Sequence, residues 1–271
     1  MVIANGLETH FAQFTSVFKF VVAKDAEAEF LLLEGNGAFS LSRKHFVVEE
    51  GAKLQKAWVF VQNEAEKAST TLLERIVELK SNAEFFDKQL FVPKSVVRVT
   101  SNVKLQGTRA VSQSLAALIS SSGKFDYEPI QEHFVTQTKS SLFLKGIFAK
   151  RAQSLFQGLV ILHKEASKSE AYQENKNLLT SRNARADSKP RLEILQKDVM
   201  CKHGSATAEI DEKQLYYLKT RGFSESAAKS LIIKAFCQEP LLQKNNESSF
   251  LSDFLFEVSE FTLTKNPAEF F

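Results

Sequence analysis

Apolar and polar residues alternate along most of the chain, from about Thr15 to Thr207. The apolar positions in this pattern include Phe18, Phe20, Val22, Phe39, Leu41, Trp58, Phe60, Leu192 and Ile194. A period of two is typical of β-strands, because successive side chains of an extended chain point to opposite sides. The pattern therefore predicts a mostly β protein built from many short strands.

Turn-forming residues separate these apolar segments at short intervals. They are Gly35-Asn36-Gly37, Glu50-Gly51, Ser101-Asn102, Ser121-Ser122-Gly123, Asn183 and Asp187-Ser188-Lys189-Pro190. Many short strands fit either a sandwich or barrel, or a solenoid whose coils stack strand on strand. A sandwich or barrel should repeat the Asn-Gly hairpin signal, which is clear only at Asn36-Gly37. The turns therefore favour the solenoid.

One segment inside the β region has an ambiguous pattern. Thr71–Lys80 places Leu72, Leu73, Ile76 and Leu79 at spacings that also suit one face of a helix. It is the place in the β region where the pattern fits a short helix as well as a strand.

After Thr207 the apolar positions change to a helical period. Asp211 followed by Gln214 resembles a capping box, and Gly222 provides a stop signal for this first helix. Ser224 can cap a second helix that ends at Pro240. The apolar positions of the second helix are Ala227, Ala228, Leu231, Ile232, Ala235 and Phe236, and a third candidate carries Phe250, Leu251, Phe254, Leu255 and Val258. We therefore expect a short N-terminal segment at residues 1–14, a β-helix core at 15–208 and a helical C-terminal domain at 209–271.

Composition excludes several classes of partner. The net charge of +3 comes from 35 basic and 32 acidic residues that are not grouped by sign, so no nucleic-acid footprint is predicted. The apolar runs are too short to span a membrane, and the N-terminus does not read as a signal peptide. We therefore expect a cytoplasmic protein whose cysteines, Cys201 and Cys237, are reduced thiols.

The sequence lacks the motifs of common catalytic sites. It has no phosphate-binding loop, no His-Glu-x-x-His, no Cys-x-x-Cys and no Gly-x-Ser-x-Gly. Gly35-Asn36-Gly37 begins like a dinucleotide fingerprint, but Ser40 stands in place of its third glycine. We therefore expect a protein that is not an enzyme and binds no nucleotide or other cofactor of its own.

Cys201 and His203 are the one pair of residues with distinctive chemistry. They lie two positions apart, so on a strand they share one side with Cα atoms about 6.6–6.8 Å apart. A thiolate and an imidazole suit iron, zinc or copper(I), but two protein ligands cannot complete a site. A small buried cysteine beside a hydrogen-bonded histidine explains the pair equally simply. The residues alone favour this second interpretation.

A longer string of residues around this pair resembles the SufB/SufD family of iron–sulfur cluster assembly proteins. The resemblance is carried by Lys145-Gly146, Phe156-Gln157-Gly158, Tyr172 to Leu179, Asn183 to Ile194, Asp198 to Gly204, Ile210-Asp211, Gln214 to Leu218 and Arg221-Gly222. SufB proteins have a cysteine at the position of Asn175 and a His-Glu pair where this chain has His203-Gly204. The sequence is therefore similar to the SufD branch.

The resemblance implies a right-handed parallel β-helix that ends in a small helical domain. It also implies that Cys201 and His203 lie at an interface with a SufB-type subunit, where iron or a nascent Fe–S cluster is shared between the two chains. The C-terminal helices would dock a SufC-type ABC ATPase, with Gln214, Tyr216, Tyr217 and Arg221 as the candidate contacts. The family's N-terminal helical domain has no counterpart in the pattern, which is already β by Thr15.

Two other functions remain open from the sequence. A β-solenoid could act on carbohydrate, which would require carboxylates that converge in a groove. Alternatively, the chain could be a structural homodimer that pairs edge strands and binds no metal.

Overall fold

The computed structural model of the chain describes residues 15–34, 39–62 and 70–242. Within these ranges the strands are β1 (Thr15–Val22), β2 (Glu27–Glu34), β3 (Phe39–Val48), β4 (Lys53–Val61), β5 (Thr70–Leu79), β6 (Glu84–Val92), β7 (Val96–Leu105), β8 (Val111–Ser120), β9 (Lys124–His133), β10 (Lys139–Phe148), β11 (Gln153–Phe156), β12 (Leu159–Leu162), β13 (Ser169–Leu179), β14 (Arg185–Ser188), β15 (Arg191–Ile194) and β16 (Val199–Glu209). Two helices follow, α1 (Glu212–Thr220) and α2 (Glu225–Leu242).

The strands form two parallel sheets, and the chain passes from one sheet to the other at each turn of a solenoid. The seven-stranded sheet has the order β16-β13-β10-β8-β6-β4-β2. The nine-stranded sheet contains β1, β3, β5, β7 and β9, followed by the short pairs β11 and β12, and β14 and β15. Every pairing is parallel, and the coil makes about six turns. The predicted parallel β-solenoid with C-terminal helices is confirmed.

Aromatic rings in tilted and edge-to-face contact lie between the two sheets. In the first turns Phe20 lies 5.4 Å from Phe30, measured between ring centroids. Further along, Phe91 lies 5.2 Å from Trp58 and 5.1 Å from Phe125. Parallel in-register strands place the same side of each coil in line, so large inward side chains contact one another from turn to turn.

A group of charged side chains interrupts this apolar interior. Asp87 pairs with both Arg75 and Lys56, and Lys56 Nζ lies 3.0 Å from its Oδ1. All three side chains are at most 1% exposed, and Gln89 Nε2 also donates to Asp87 at 2.6 Å. Burial lowers the pKa of Lys56 to about 7, although the nearby carboxylate of Asp87 opposes the shift. The carboxylate is therefore the common partner of two buried cations.

The structure resolves one local ambiguity of the sequence pattern and shows that one predicted turn is wrong. Thr71–Lys80 is not helical, because β5 occupies this segment and its residues alternate between buried and half-buried positions. Stacking between β3 and β7 uses both sides of the segment, so its outward leucine and isoleucine are partly covered as well. The turn predicted at Ser101-Asn102 lies inside β7, where Ser101 Oγ accepts hydrogen bonds from Arg75 at 3.0 and 2.7 Å.

The C-terminal helices follow the predicted signals with one difference. Asp211 caps α1 by accepting from the backbone N–H of Lys213 at 2.9 Å, and Gly222 ends the turn with φ of +92°. α2 continues to Leu242, two residues beyond the stop predicted at Pro240. The helix packs Ile233 against the outer side of the seven-stranded sheet, near β8 and β10.

Some predictions fall outside the described residues. These are the turn at Gly35-Asn36-Gly37, the third helix from Phe250 to Val258 and the packing of the Cys237 side chain. Neither helix in the described part of the chain combines the length and the apolar character that crossing a bilayer requires.

Candidate functional site

The last strand, β16, forms an edge of the seven-stranded sheet. It pairs in parallel with β13, and no other strand of the described chain pairs with it. On the inward side, Cys201 is in register with Ala171, and His203 with Gln173. Strand β16 therefore closes the last turn of the solenoid on one side and leaves its own outer edge unpaired.

Cys201 lies on the inner side of this last turn. Its half-buried side chain packs with Val199 against a small apolar cluster that includes Val160, Leu162 and Ala171. Burial raises the pKa of the Cys201 thiol. The free chain therefore holds this group as a thiol at neutral pH, and a metal ion or another cation would have to approach to favour the thiolate.

His203 shares the inward side of β16 with Cys201, as the spacing predicts. Its side chain is exposed, and it has no ion pair or hydrogen bond within the described ranges. The imidazole is therefore available to a ligand or to a partner chain. Because neutral imidazole and thiolate are both ligands of borderline-soft metals, the two side chains can act together at one ion.

Cys201 and His203 do not complete a metal site by themselves. No group of three or more His, Cys, Asp or Glu side chains with metal-binding geometry occurs among the residues that the structure describes. A four-coordinate metal held by these two side chains needs two further ligands. The described part of the chain does not supply them.

The open end of the solenoid beside Cys201 exposes apolar and polar residues together. A cavity of about 480 Å³ is lined there by Ile194, Leu195, Gln196, Lys197, Val199 and Cys201. Of the apolar residues that line it, Ile194 and Leu195 are 46% and 58% exposed. Exposed apolar side chains that cluster at one end of a domain are typical of an interaction surface.

The inner side of β13 carries carboxamides that the sequence analysis did not single out. Gln173 is 2% exposed, and neither its Nε2 nor its Oε1 has a hydrogen-bond partner in the described part of the chain. The side chain crosses the interior to Gly158, where an added Cβ would lie only 1.3 Å from Nε2. The inward parity of Gln173 is visible in the sequence, but its contact with Gly158 on the opposite sheet is not.

The four candidate contact residues near the C-terminus are all exposed. Tyr216 and Tyr217 on α1 are 71% and 56% exposed, and the guanidinium of Arg221 lies 5.2 Å from the Tyr217 ring centroid. Gln214 is exposed on the same helix, and none of the residues of α1 is buried. The helix therefore presents an aromatic and cationic surface that the fold itself does not need.

The carboxylates on the outer side of the nine-stranded sheet do not converge in the way that carbohydrate hydrolysis requires. They form separate pairs with cations: Glu74 with Arg43, Asp126 with Lys124, Glu128 with Arg98, and Glu132 with His163. A glycosidase needs two carboxyl groups that flank one bond, with one of them protonated. Paired carboxylates of this kind are poor candidates for that acid.

Comparison with known proteins relates these features to a family. The family model described as "SUF system FeS cluster assembly, SufBD core domain" matches residues 4–236. The SufBD family protein ML0594 of Mycobacterium leprae is 27% identical over 221 residues, which are 76% of this chain and 54% of the relative. The iron–sulfur cluster assembly protein SufD of Escherichia coli is 31% identical over 163 residues, 59% of this chain and 38% of that protein. SufD of Bacillus subtilis is 35% identical over 104 residues, 38% of this chain and 24% of that protein. The chain thus spans about half the length, or less, of these relatives.

Proposed function

Because this chain belongs to the SufB/SufD family of the SUF system, on its SufD branch, we propose that it is a non-catalytic scaffold subunit for iron–sulfur cluster assembly. It would pair with a SufB-type subunit and dock a SufC-type ATPase. The observation that carries the proposal is the last turn of the solenoid, which combines an unpaired edge, exposed apolar residues at its end and the side chains of Cys201 and His203.

Pairing with the SufB-type subunit would use the end of the solenoid at β16. An unpaired strand of 11 residues offers a row of backbone donors and acceptors, which favours the addition of a strand from another chain. The exposed side chains of Ile194, Leu195 and Met200 lie beside it. Burial of such apolar surface supplies the favourable free energy of association, and the backbone hydrogen bonds set the register.

Cys201 and His203 would contribute two ligands, or a ligand and a sulfur-handling thiol, to a cluster that is built between the chains. Iron and the nascent cluster are the cargo of this reaction and not a resident cofactor. The missing ligands would come from the SufB-type subunit, the cluster sulfide or water. This division explains why neither residue is surrounded by further metal ligands within the described chain.

Docking of the ATPase would use α1, with Gln214, Tyr216, Tyr217 and Arg221 as contacts. Tyrosine and arginine are the side chains most enriched among residues that dominate binding energy at interfaces. The helical unit begins near residue 209 in this proposal and covers residues 209–271. Hydrolysis of ATP would then belong to the partner, in agreement with a sequence that has no phosphate-binding loop.

Co-expression with SufB-type and SufC-type proteins of one organism, followed by affinity capture on this chain, tests the proposal. We expect a stable complex that contains all three proteins, with its stoichiometry measured by native mass spectrometry.

A Gly or Asp substitution at Leu195 should weaken capture of the SufB-type subunit, whereas the same change at the exposed Val17, at the other end of the solenoid, should not. Recovery of this chain only as a monomer or homodimer would contradict the scaffold proposal.

A further inference from the structure

The carboxamide of Gln173 is the buried polar group that the fold explains least. It is 2% exposed, and its donor and its acceptor are both unpaired within the described residues. Leaving a buried polar group without a hydrogen bond costs about 1–3 kcal/mol, and folded proteins pair the large majority of such groups. An apolar side chain of the same length would avoid this cost, so the amide of Gln173 indicates a role other than packing.

The neighbours of Gln173 leave one direction open to it. On one side its in-register neighbour is Leu142 of β10, which is apolar. Across the interior lies Gly158, which has no side chain and makes room for the amide. On the other side the in-register neighbour is His203 of β16. Neighbouring strands lie about 4.8 Å apart, so an inward glutamine and an inward histidine in register can reach hydrogen-bond distance.

A hydrogen bond of this kind already forms four residues further along the same pair of strands. Asn177 Nδ2 on β13 donates to Thr207 Oγ1 on β16 at 3.2 Å, and these two residues are also in register on the inner side. The inner ladder between β13 and β16 therefore has a spacing that allows side chains to bond across it. His203 is exposed and has no other partner among the described residues, so its ring is free to turn toward Gln173.

We propose that Gln173 is a positioning residue for His203: when the imidazole turns inward, the amide holds it by a hydrogen bond to one ring nitrogen. The carboxamide can donate to that nitrogen or accept from it, and either bond selects one tautomer and one ring orientation. The second ring nitrogen then faces the open end of the solenoid. Gly158 contributes to this arrangement, because any larger residue there would displace the amide of Gln173.

This inference rests on the proposed function in one respect, because that function assigns metal binding to the second ring nitrogen of His203. Histidine ligands of metals commonly have their second ring nitrogen held by a hydrogen-bonding neighbour, which fixes the ring before the metal arrives. Here the neighbour is a neutral amide and not a carboxylate. It orders the ring without adding a negative charge to the interior.

The tautomer of His203 can be measured directly in the full-length free chain by ¹H–¹⁵N correlation through the ring protons, at a pH where the imidazole is neutral. The signals are assigned with His203→Ala. The wild-type chain should show one tautomer, with one protonated and one unprotonated ring nitrogen.

Gln173→Met keeps the length of the side chain but removes its polar atoms, so the two nitrogen signals should shift toward each other as the tautomers average. Thr207→Val, which removes the side-chain hydrogen bond between β13 and β16 four residues further along, is the matched control and should leave the pattern unchanged.

Averaged tautomers in the wild-type chain, or an unchanged pattern in Gln173→Met, would overturn the proposal. If Gln173→Met does not fold, Gln173→Glu decides: a single tautomer with its proton on the nitrogen that faces residue 173 supports the proposal, and averaging refutes it. The measurement needs no partner protein. Failure of the chain to capture a SufB-type subunit would therefore refute the proposed function while leaving the tautomer result readable.

Discussion

Inward polar groups are satisfied differently in an early turn of the solenoid and in its last turns. Through β8 and β10, Gln173 and Asn175 on β13 are in register with Asp87 and Gln89 on β6. Asp87 forms two ion pairs and accepts from Gln89, whereas both polar atoms of Gln173 lack a partner among the described residues. On β16 the inward His203 is exposed. A buried amide is costly unless it is bonded, so the unpaired amide of Gln173 indicates that this end of the interior meets another group.

Asp87 should be essential to the stability of the first turns. Its carboxylate is fully buried between Arg75 and Lys56, so Asp87→Asn leaves two cations in the interior without a counter-charge. We expect a loss of about 3–5 kcal/mol in the free energy of unfolding, measured by urea denaturation. Asp126→Asn is the matched control, because Asp126 pairs with Lys124, whose side chain is 49% exposed, and should cost no more than about 1 kcal/mol. Equal effects of the two substitutions would contradict the importance of the buried cluster.

His133 should make the stability of the protein fall in mild acid. Its ring is fully buried, with Nδ1 2.7 Å from Thr138 Oγ1 and Nε2 2.7 Å from Ser140 Oγ. Burial lowers the pKa of His133 from 6.5 to about 4. Between these values the unfolded chain binds a proton that the folded chain does not, so this contribution is complete above pH 6.5 and is lost as the pH falls toward 4.

The titration of His133 can be isolated with His133→Gln, which keeps polar atoms near both hydroxyls but does not titrate. Denaturation series from pH 4 to 6.5 should show a steeper dependence in the wild-type chain, by at most about 1.4 kcal/mol per pH unit. Parallel curves for the two proteins would show that His133 is protonated in the folded state as easily as in the unfolded state.

Sequence pattern predicted part of the candidate site at this scale. The common side of Cys201 and His203 follows from their spacing on a strand, and the structure places both on the inner side of β16. The unpaired state of Gln173 was not predictable, because it depends on Gly158 and Leu142, which lie far away in the sequence. Register between strands decides such contacts, and a single sequence does not give register.

At the scale of elements, α1 is the part of the described chain that depends least on packing against the solenoid. It has no buried residue, yet Asp211 caps its start and Gly222 its end. Strong local signals explain why the sequence predicted this helix correctly. They do not explain why two adjacent tyrosines remain exposed on it, which a docking surface does.

Replacement of Tyr216 and Tyr217 by alanine should therefore remove the ATPase from the complex without unfolding the chain. Loss of a central interface tyrosine costs about 2 kcal/mol or more, so the double substitution should weaken binding at least about 30-fold in surface plasmon resonance or calorimetry. Tyr172→Ala is a suitable control, because Tyr172 is an exposed tyrosine on the outer side of β13. Unchanged affinity of the double variant would place the ATPase elsewhere on the molecule.

The segment Thr71–Lys80 shows why the sequence pattern could fit a helix as well as a strand. Its two adjacent leucines and the isoleucine three positions later give a helical spacing. In the structure β5 lies between β3 and β7, so both its sides are partly or fully covered and apolar residues occur on both. Strands in the interior of a parallel sheet often lose their simple alternation for this reason.

At the scale of the whole molecule, the parallel solenoid produces two unlike ends and two faces. α2 covers part of the outer side of the seven-stranded sheet near β8 and β10, while β16 leaves the last turn open. This asymmetry fits a subunit that joins its partners at one end. The solenoid class was predictable from turns and alternation, but the number of turns, the register and the face that carries α2 required the structure.

The iron and acid-labile sulfide content of the anaerobically purified three-protein complex is the most direct test of the scaffold account. The account predicts that the wild-type complex carries both, and that His203→Ala lowers them about tenfold or more while the three proteins stay together. His163→Ala, which removes a histidine paired with Glu132 on the nine-stranded sheet, should leave the content unchanged. A His203→Ala complex with the full wild-type iron and sulfide content would contradict the central claim that the last turn of this solenoid takes part in building the cluster.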